Sequence, residues 1–175
     1  NVCDNTTAKL GVLTGGLRVI RNTGTMTVTS GRITSSSTGA DGATITNLGS
    51  LTVNGGTVHS PSYRAIECQK TTVINGGLIH GEGTSTYRRA AIAITSRASK
   101  VTLHSGELRG ALYGLQFTAS GTFEMDGGEI NAANGMAMGQ TGAGTAVVNI
   151  SGGDITASTG FGIFCQKTSG AVNIS

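Results

Sequence analysis

Tryptophan is absent from this 175-residue chain, proline occurs once, at Pro61, and aromatic residues make up only 4%. Charge is scarce as well: 12% of residues are Asp, Glu, Lys or Arg, about half the usual share of roughly 25%. So little charge, with no heptad, excludes a coiled coil. No apolar run approaches the roughly 20 residues that a membrane-spanning helix needs, so membrane insertion is not expected. Glycine does not fall at every third position, which excludes collagen. Twelve basic against nine acidic residues give a net charge of +3. That is too thin for an electrostatic grip on nucleic acid, and seven of the twelve lie between Arg64 and Arg109. The three cysteines, Cys3, Cys68 and Cys165, form no C-x-x-C and have no Cys/His spacing suited to a metal.

What the chain does have is glycine, 29 residues of it, and enough apolar content for a core: 37% hydrophobic, with a mean hydropathy of +0.06. The glycines are placed periodically. Six segments share the pattern apolar-x-apolar-polar-Gly/Ser-Gly-x-apolar. They are Met26-Thr-Val28-Thr-Ser-Gly31-Arg-Ile33, Leu51-Thr-Val53-Asn-Gly-Gly56-Thr-Val58 and Thr72-Val-Ile74-Asn-Gly-Gly77-Leu-Ile79, followed by three more. Those three are Val101-Thr-Leu103-His-Ser-Gly106-Glu-Leu108, Phe123-Glu-Met125-Asp-Gly-Gly128-Glu-Ile130 and Val148-Asn-Ile150-Ser-Gly-Gly153-Asp-Ile155. Their second glycines stand 25, 21, 29, 22 and 25 residues apart, and a seventh copy begins at Val172-Asn-Ile174. Such a period is the mark of a solenoid.

Each copy reads as strand, tight turn, strand. Apolar residues alternate at period two on both sides of the glycines and so share a face. The Asn/Asp-Gly-Gly step tolerates the positive φ that an abrupt corner requires. A second apolar pair follows in each copy: Ile66/Cys68, Ile92/Ile94, Leu115/Phe117, Met136/Met138 and Ile163/Cys165. One copy therefore closes into a coil of two or three strands, and coils stack about 4.8 Å apart through parallel hydrogen bonds. The expected fold is all-β, a parallel β-solenoid of six to seven coils, as a right-handed β-helix. Residues 20–175 form the repeat domain and residues 1–19 an irregular lead-in or partial cap. Ile20-Arg-Asn-Thr-Gly-Thr-Met26 matches Ile45-Thr-Asn-Leu-Gly-Ser-Leu51 position for position. The longest interval holds the polar insertion Gly81-Glu-Gly-Thr-Ser-Thr-Tyr-Arg-Arg89.

The phrase Ile45-Thr-Asn-Leu-Gly-Ser-Leu-Thr-Val-Asn-Gly-Gly56 resembles the N-x-G-x-L-T-I-N-G-G coils of secreted prokaryotic β-solenoid surface proteins: adhesin and autotransporter-like stalks, and cell-envelope or sheath solenoids. The resemblance spans about residues 20–175. It implies a structural role outside the cell or at its surface, as part of a filament, stalk or sheath. The same fold also carries pectate lyases, polygalacturonases and phage tailspikes, so architecture alone does not assign an activity.

An enzyme of that kind needs acids. Glu107, Glu129 and Asp154 fall in one column of consecutive coils, where stacked carboxylates suit Ca²⁺ or acid/base attack on a polysaccharide. The Asp-Asp and Gly-His-Gly patterns of polygalacturonases are missing, and outward acids with Arg109 nearby fit an ordinary surface, so no catalytic role and no cofactor is expected. His59 and His80 share a column one coil apart, half of a zinc site. The rest of that column is Thr34, Arg109, Asn131 and Thr156, so the pair reads as a solvated ladder. Tyr63, Arg64, Tyr87, Arg88, Arg89 and Tyr113 cluster as a Tyr/Arg strip, residue types enriched in binding patches, and make a candidate contact for a cell-surface glycan. A threonine array of the ice-binding kind breaks after Thr27 and Thr52, where Val73 follows. No glycine pair opens a helix in the manner of a phosphate-binding loop.

The polar start Asn1-Val2-Cys3-Asp4 suits either a processed secretory chain or a segment cut from a longer one. The sequence stops halfway through a coil at Ala171-Val-Asn-Ile-Ser175; if these 175 residues are the whole mature chain, the parallel strand edge there is expected to be a template for another copy, the alternative being a fragment of a longer stalk. Cys68 and Cys165 share a column but lie four coils, roughly 19 Å, apart, too far for an internal disulfide. Cys3 and Cys165, near opposite ends, are the candidate pair for a bridge between subunits stacked head to tail.

Overall fold

The computed structural model describes residues 11–37, 42–83, 90–138, 145–166 and 170–175. Every regular element among them is a β-strand. The first three coils are built from short strands: β1 (Val12–Gly15), β2 (Ile20–Asn22), β3 (Thr25–Val28), β4 (Arg32–Ser35), β5 (Ala43–Asn47), β6 (Ser50–Val53), β7 (Thr57–Ser60), β8 (Arg64–Cys68), β9 (Thr71–Ile74) and β10 (Leu78–Gly81). After β11 (Ala90–Ile94) and β12 (Lys100–Leu103), strands run on through their corners: β13 (Glu107–Phe117), β14 (Gly121–Met138) and β15 (Ala146–Ala157). β16 (Ile163–Cys165) and β17 (Ala171–Ile174) complete the set.

All pairing is parallel, and each strand pairs with its counterpart one coil on: β1 with β4, β2 with β5, β3 with β6, and so along the chain. The result is a β-solenoid of about six turns with three strands per turn. The seventh repeat copy is in register too, Val172 opposite Val148 and Ile174 opposite Ile150. The ladder also reaches further toward the N-terminus than the expected boundary at residue 20, since Leu13 lies opposite Ile33 and Gly15 opposite Ser35. The segment Gly11-Val-Leu-Thr-Gly15 matches the second half of a repeat (compare Gly31-Arg-Ile-Thr-Ser35), and parallel pairing needs only backbone groups.

The register turns the sequence repeats into continuous columns. One runs Ile33, Val58, Ile79, Leu108, Ile130, another Ile45, Ile66, Ile92, Leu115, Met136, and every one of these side chains is fully buried. A third holds Val53, Ile74, Leu103 and Met125, at 1% exposure or less. These columns form a single hydrophobic core through the length of the solenoid. The widest buried side chains, Phe117 and Phe123, come from one turn of the chain.

Polar residues enter the interior where they stack on their own kind. Asn22 and Asn47 occupy the start of the column that later holds Cys68, Ile94 and Phe117. Asn22 Nδ2 donates to Asn47 Oδ1 at 2.8 Å, and Asn47 Nδ2 donates to the Thr71 carbonyl at 2.7 Å and to Thr72 Oγ1 at 3.0 Å. Each asparagine also accepts from a glycine amide two residues on, Gly24 and Gly49. This explains the matching Asn-x-Gly phrases and why Thr72 sits in an otherwise apolar column. Its hydroxyl takes Asn47 on one side and donates to Cys68 Sγ at 3.2 Å on the other, so no buried polar group is stranded there.

The corners follow the expected glycine chemistry. All six second glycines, at 31, 56, 77, 106, 128 and 153, have φ between 78° and 91°. A side chain there meets a second obstacle, because a Cβ on Gly77 would lie 2.5 Å from the Gly56 carbonyl oxygen of the preceding coil. The close approach lets the ladder continue through the corner, with the Leu78 amide donating to Gly56 O at 2.9 Å.

Two substitutions probe this arrangement. Ile66→Ala should lower the unfolding free energy by about 2–5 kcal/mol, and Ile66→Val by only about 0.5–1.5 kcal/mol, both read by urea denaturation. An unchanged midpoint for Ile66→Ala would place that side chain outside the core. Gly77→Val should abolish cooperative folding, whereas Gly24→Ala should be tolerated, since nothing lies within 4 Å of a Cβ at Gly24.

Candidate functional site

In-register stacking also sorts the outward side chains into columns, and three of these hold groups capable of chemistry. The acid column forms as expected: Glu107, Glu129 and Asp154 are direct neighbours in consecutive coils. Glu107 is already engaged, because Arg109, two residues on and on the same face, makes a two-pronged bond to it. Nε donates to Oε1 at 2.8 Å and Nη2 to Oε2 at 2.7 Å. That bond raises the Arg109 pKa further. Asn131 Nδ2 donates to Glu129 Oε1 at 3.4 Å.

The Tyr/Arg strip turns out differently from the open patch the sequence suggests. Tyr63, Arg64 and Tyr113 are 6%, 9% and 5% exposed. Arg64 is the register partner of Ala43, and Tyr113 that of Ala90, on which it packs beside Leu112 and Phe164. Burial lowers the Arg64 pKa, opposed by the charge of Glu67. These three side chains are withdrawn from solvent rather than forming an open stacking platform. Tyr87, Arg88 and Arg89 lie outside the described residues, as does Cys3. Of the other two cysteines, Cys68 is fully buried and Cys165 is exposed. Desolvation raises the Cys68 pKa, so its thiol stays protonated and unreactive.

The histidine column carries more than its sequence suggested. His59 and His80 are register partners with ring centroids 5.2 Å apart. Glu82 follows His80 by two residues, which puts it on the same outward face. Its Oε1 lies 3.1 Å from His59 Nε2 and 3.4 Å from His80 Nδ1. His59 Nδ1 in turn lies 3.1 Å from Thr34 Oγ1 and 3.2 Å from Arg32 Nη2. Among the described residues this is the one group of three His, Cys, Asp or Glu side chains close enough to share an ion. A search confined to one column misses Glu82. The signal was the His-x-Glu spacing at positions 80 and 82, set beside a histidine one coil away. A second His–acid contact, His104 Nδ1 to Asp126 at 2.7 Å, is an exposed pair across the Asn-turn positions of two coils.

Comparison with protein-family models, curated proteins and solved structures finds no match to this chain. The functional reading therefore rests on its own residues.

His80 gives this face a pH dependence. Burial, the largest effect, together with the nearby His59 and Arg109, holds its pKa below 6.5 despite Glu82. The unfolded chain therefore binds the His80 proton first as pH falls, so the stability linked to this group is present above pH 6.5 and is lost below it. Thermal unfolding midpoints followed from pH 7.5 down to 5 should drop more for the wild type than for His80→Asn. Parallel curves would remove His80 from the pH response.

Proposed function

We propose that this chain is a structural module: a rigid β-solenoid that stacks head to tail with further copies of itself into a filament, stalk or sheath outside the cell or on its surface. The observation that carries the reading is the unbroken register: strands pair in parallel with their counterparts one coil on, and the apolar columns run from coil to coil through a single core, so that one coil is a template for the next.

In the proposed stack the opposite end of a second copy continues each column. Following the columns across such a joint sets Leu13 of the next copy over Ile155, Met26 over Val172 and Val28 over Ile174. Each apolar column then continues into an apolar column. A disulfide between Cys3 of one copy and the exposed Cys165 of the next is the covalent form of this joint. The resemblance of the coils to surface solenoids supports the extracellular placement. A polysaccharide-acting or glycan-binding role gains less support, since Glu107 is bound by Arg109 and the described tyrosines are buried.

Sedimentation velocity across a hundredfold range of concentration tests the reading, with electron microscopy of the same samples. The wild type should grow into end-to-end assemblies, while Ile174→Lys and Leu13→Lys should stay monomeric with unchanged circular dichroism. A wild type that remains monomeric throughout would overturn self-assembly. Release of reducing ends from a polysaccharide panel, lost in Glu107→Gln, Glu129→Gln and Asp154→Asn, would favour the enzyme reading instead.

A further inference from the structure

The sides of the solenoid carry a feature that end-to-end stacking does not use. We infer that His59, His80 and Glu82 form a binding site for one divalent transition-metal ion of the Zn²⁺ class. Two imidazole nitrogens and a carboxylate oxygen are a donor set suited to such ions and poorly suited to Ca²⁺ or Mg²⁺, which take oxygen ligands. With Zn–N and Zn–O bonds of about 2.0–2.2 Å, tetrahedral ligand atoms lie about 3.3–3.6 Å from one another. Glu82 Oε1 already lies 3.1 Å from His59 Nε2 and 3.4 Å from His80 Nδ1, and all three ligand atoms fall within 4.8 Å of one another.

The scaffold holds these groups in place. Both histidines stand on adjacent strands of a parallel ladder, with the register fixed on each side by Val58 opposite Ile79 and Ser60 opposite Gly81. The backbone at Glu82 is tied to the same ladder, its amide donating to the Ser60 carbonyl at 2.9 Å. The imidazoles are mostly shielded, with side chains 14% and 22% exposed, while Glu82 at 46% marks the open side where water would complete the coordination.

The surrounding charges set the terms of binding. In the metal-free protein Arg32 Nη2 donates to His59 Nδ1, which puts the ring hydrogen on Nε2, facing Glu82. A metal at Nε2 requires the other tautomer. Its Nδ1–H then has an acceptor in place, Thr34 Oγ1 at 3.1 Å, an outer partner of the kind that orients metal-bound histidines. Arg32 must swing away, so it competes with the ion. Arg109, register partner of His80, is the other nearby cation, and its charge is offset by Glu107.

Titration of ZnCl₂ into the EDTA-stripped full chain at pH 7.5, followed by calorimetry, tests the site, with CoCl₂ absorption reporting the coordination. Expected are one ion per chain, visible Co²⁺ bands of a four- or five-coordinate nitrogen/oxygen site, and binding at least about 10-fold weaker in His59→Asn, His80→Asn and Glu82→Gln. His104→Asn should bind as the wild type does, and Arg32→Ala, which removes the competitor and no ligand, should bind more tightly. Absence of saturable Zn²⁺ binding by the wild type overturns the inference, as does an equal loss in His104→Asn or a Co²⁺ spectrum of the hydrated ion alone. None of these readouts depends on whether the chain assembles end to end.

Discussion

Parallel hydrogen bonding between each residue and its counterpart one coil away is the interaction on which the rest of this molecule depends. A parallel ladder shifted by a single residue would turn every inward side chain outward, so the pairing is held in one register wherever the core is continuous. Once the register is held, each position in the coil becomes a column, and the chemistry of a column has to be compatible with itself. Isoleucine over isoleucine meets that condition through packing, asparagine over asparagine through side-chain hydrogen bonds, and glycine over glycine through the close approach of two corners.

Departures from a column's character are informative because each needs a local remedy. Thr72 interrupts an apolar column and is accommodated by Asn47 and Cys68. The asparagine ladder itself ends at Cys68, whose thiol accepts from the Thr72 hydroxyl and is capped by the Lys70 and Lys100 carbonyls. From there on the column is apolar, passing through Ile94 and Phe117. The interior thus changes from polar stacking to hydrophobic packing along its axis without leaving the register.

The same geometry creates the two features with functional content. Along the axis it makes every inward column compatible with itself, so apolar side chains meet apolar side chains from one coil to the next. On the sides it sets like over like: acids beside acids, and histidine beside histidine. Like charges in register repel, and Arg109, two places along the same face, pairs with Glu107. Glu82 stands in the same relation to His80 and gives the two imidazoles a third donor.

The sequence by itself determined the solenoid, its coil count, the inward columns and the six corner glycines. All of these follow from period two along a strand and from one repeat length along the chain, which are properties of local backbone geometry. Only the tertiary structure decided which outward groups meet. Glu82 reaches diagonally to His59 of the neighbouring coil, and no single column contains that contact. Tyr63, Arg64 and Tyr113 share composition with a binding patch, but the fold buries them. The pairing of β1 was hidden as well, because Thr6 and Ala8 stand in the sequence where Met26 and Val28 mark the next copy, while backbone amides and carbonyls pair whatever side chains they carry. A one-dimensional pattern states which face a side chain takes. How far it reaches across that face, and what covers it, depends on neighbours about 4.8 Å away in space and more than 20 residues away in the chain.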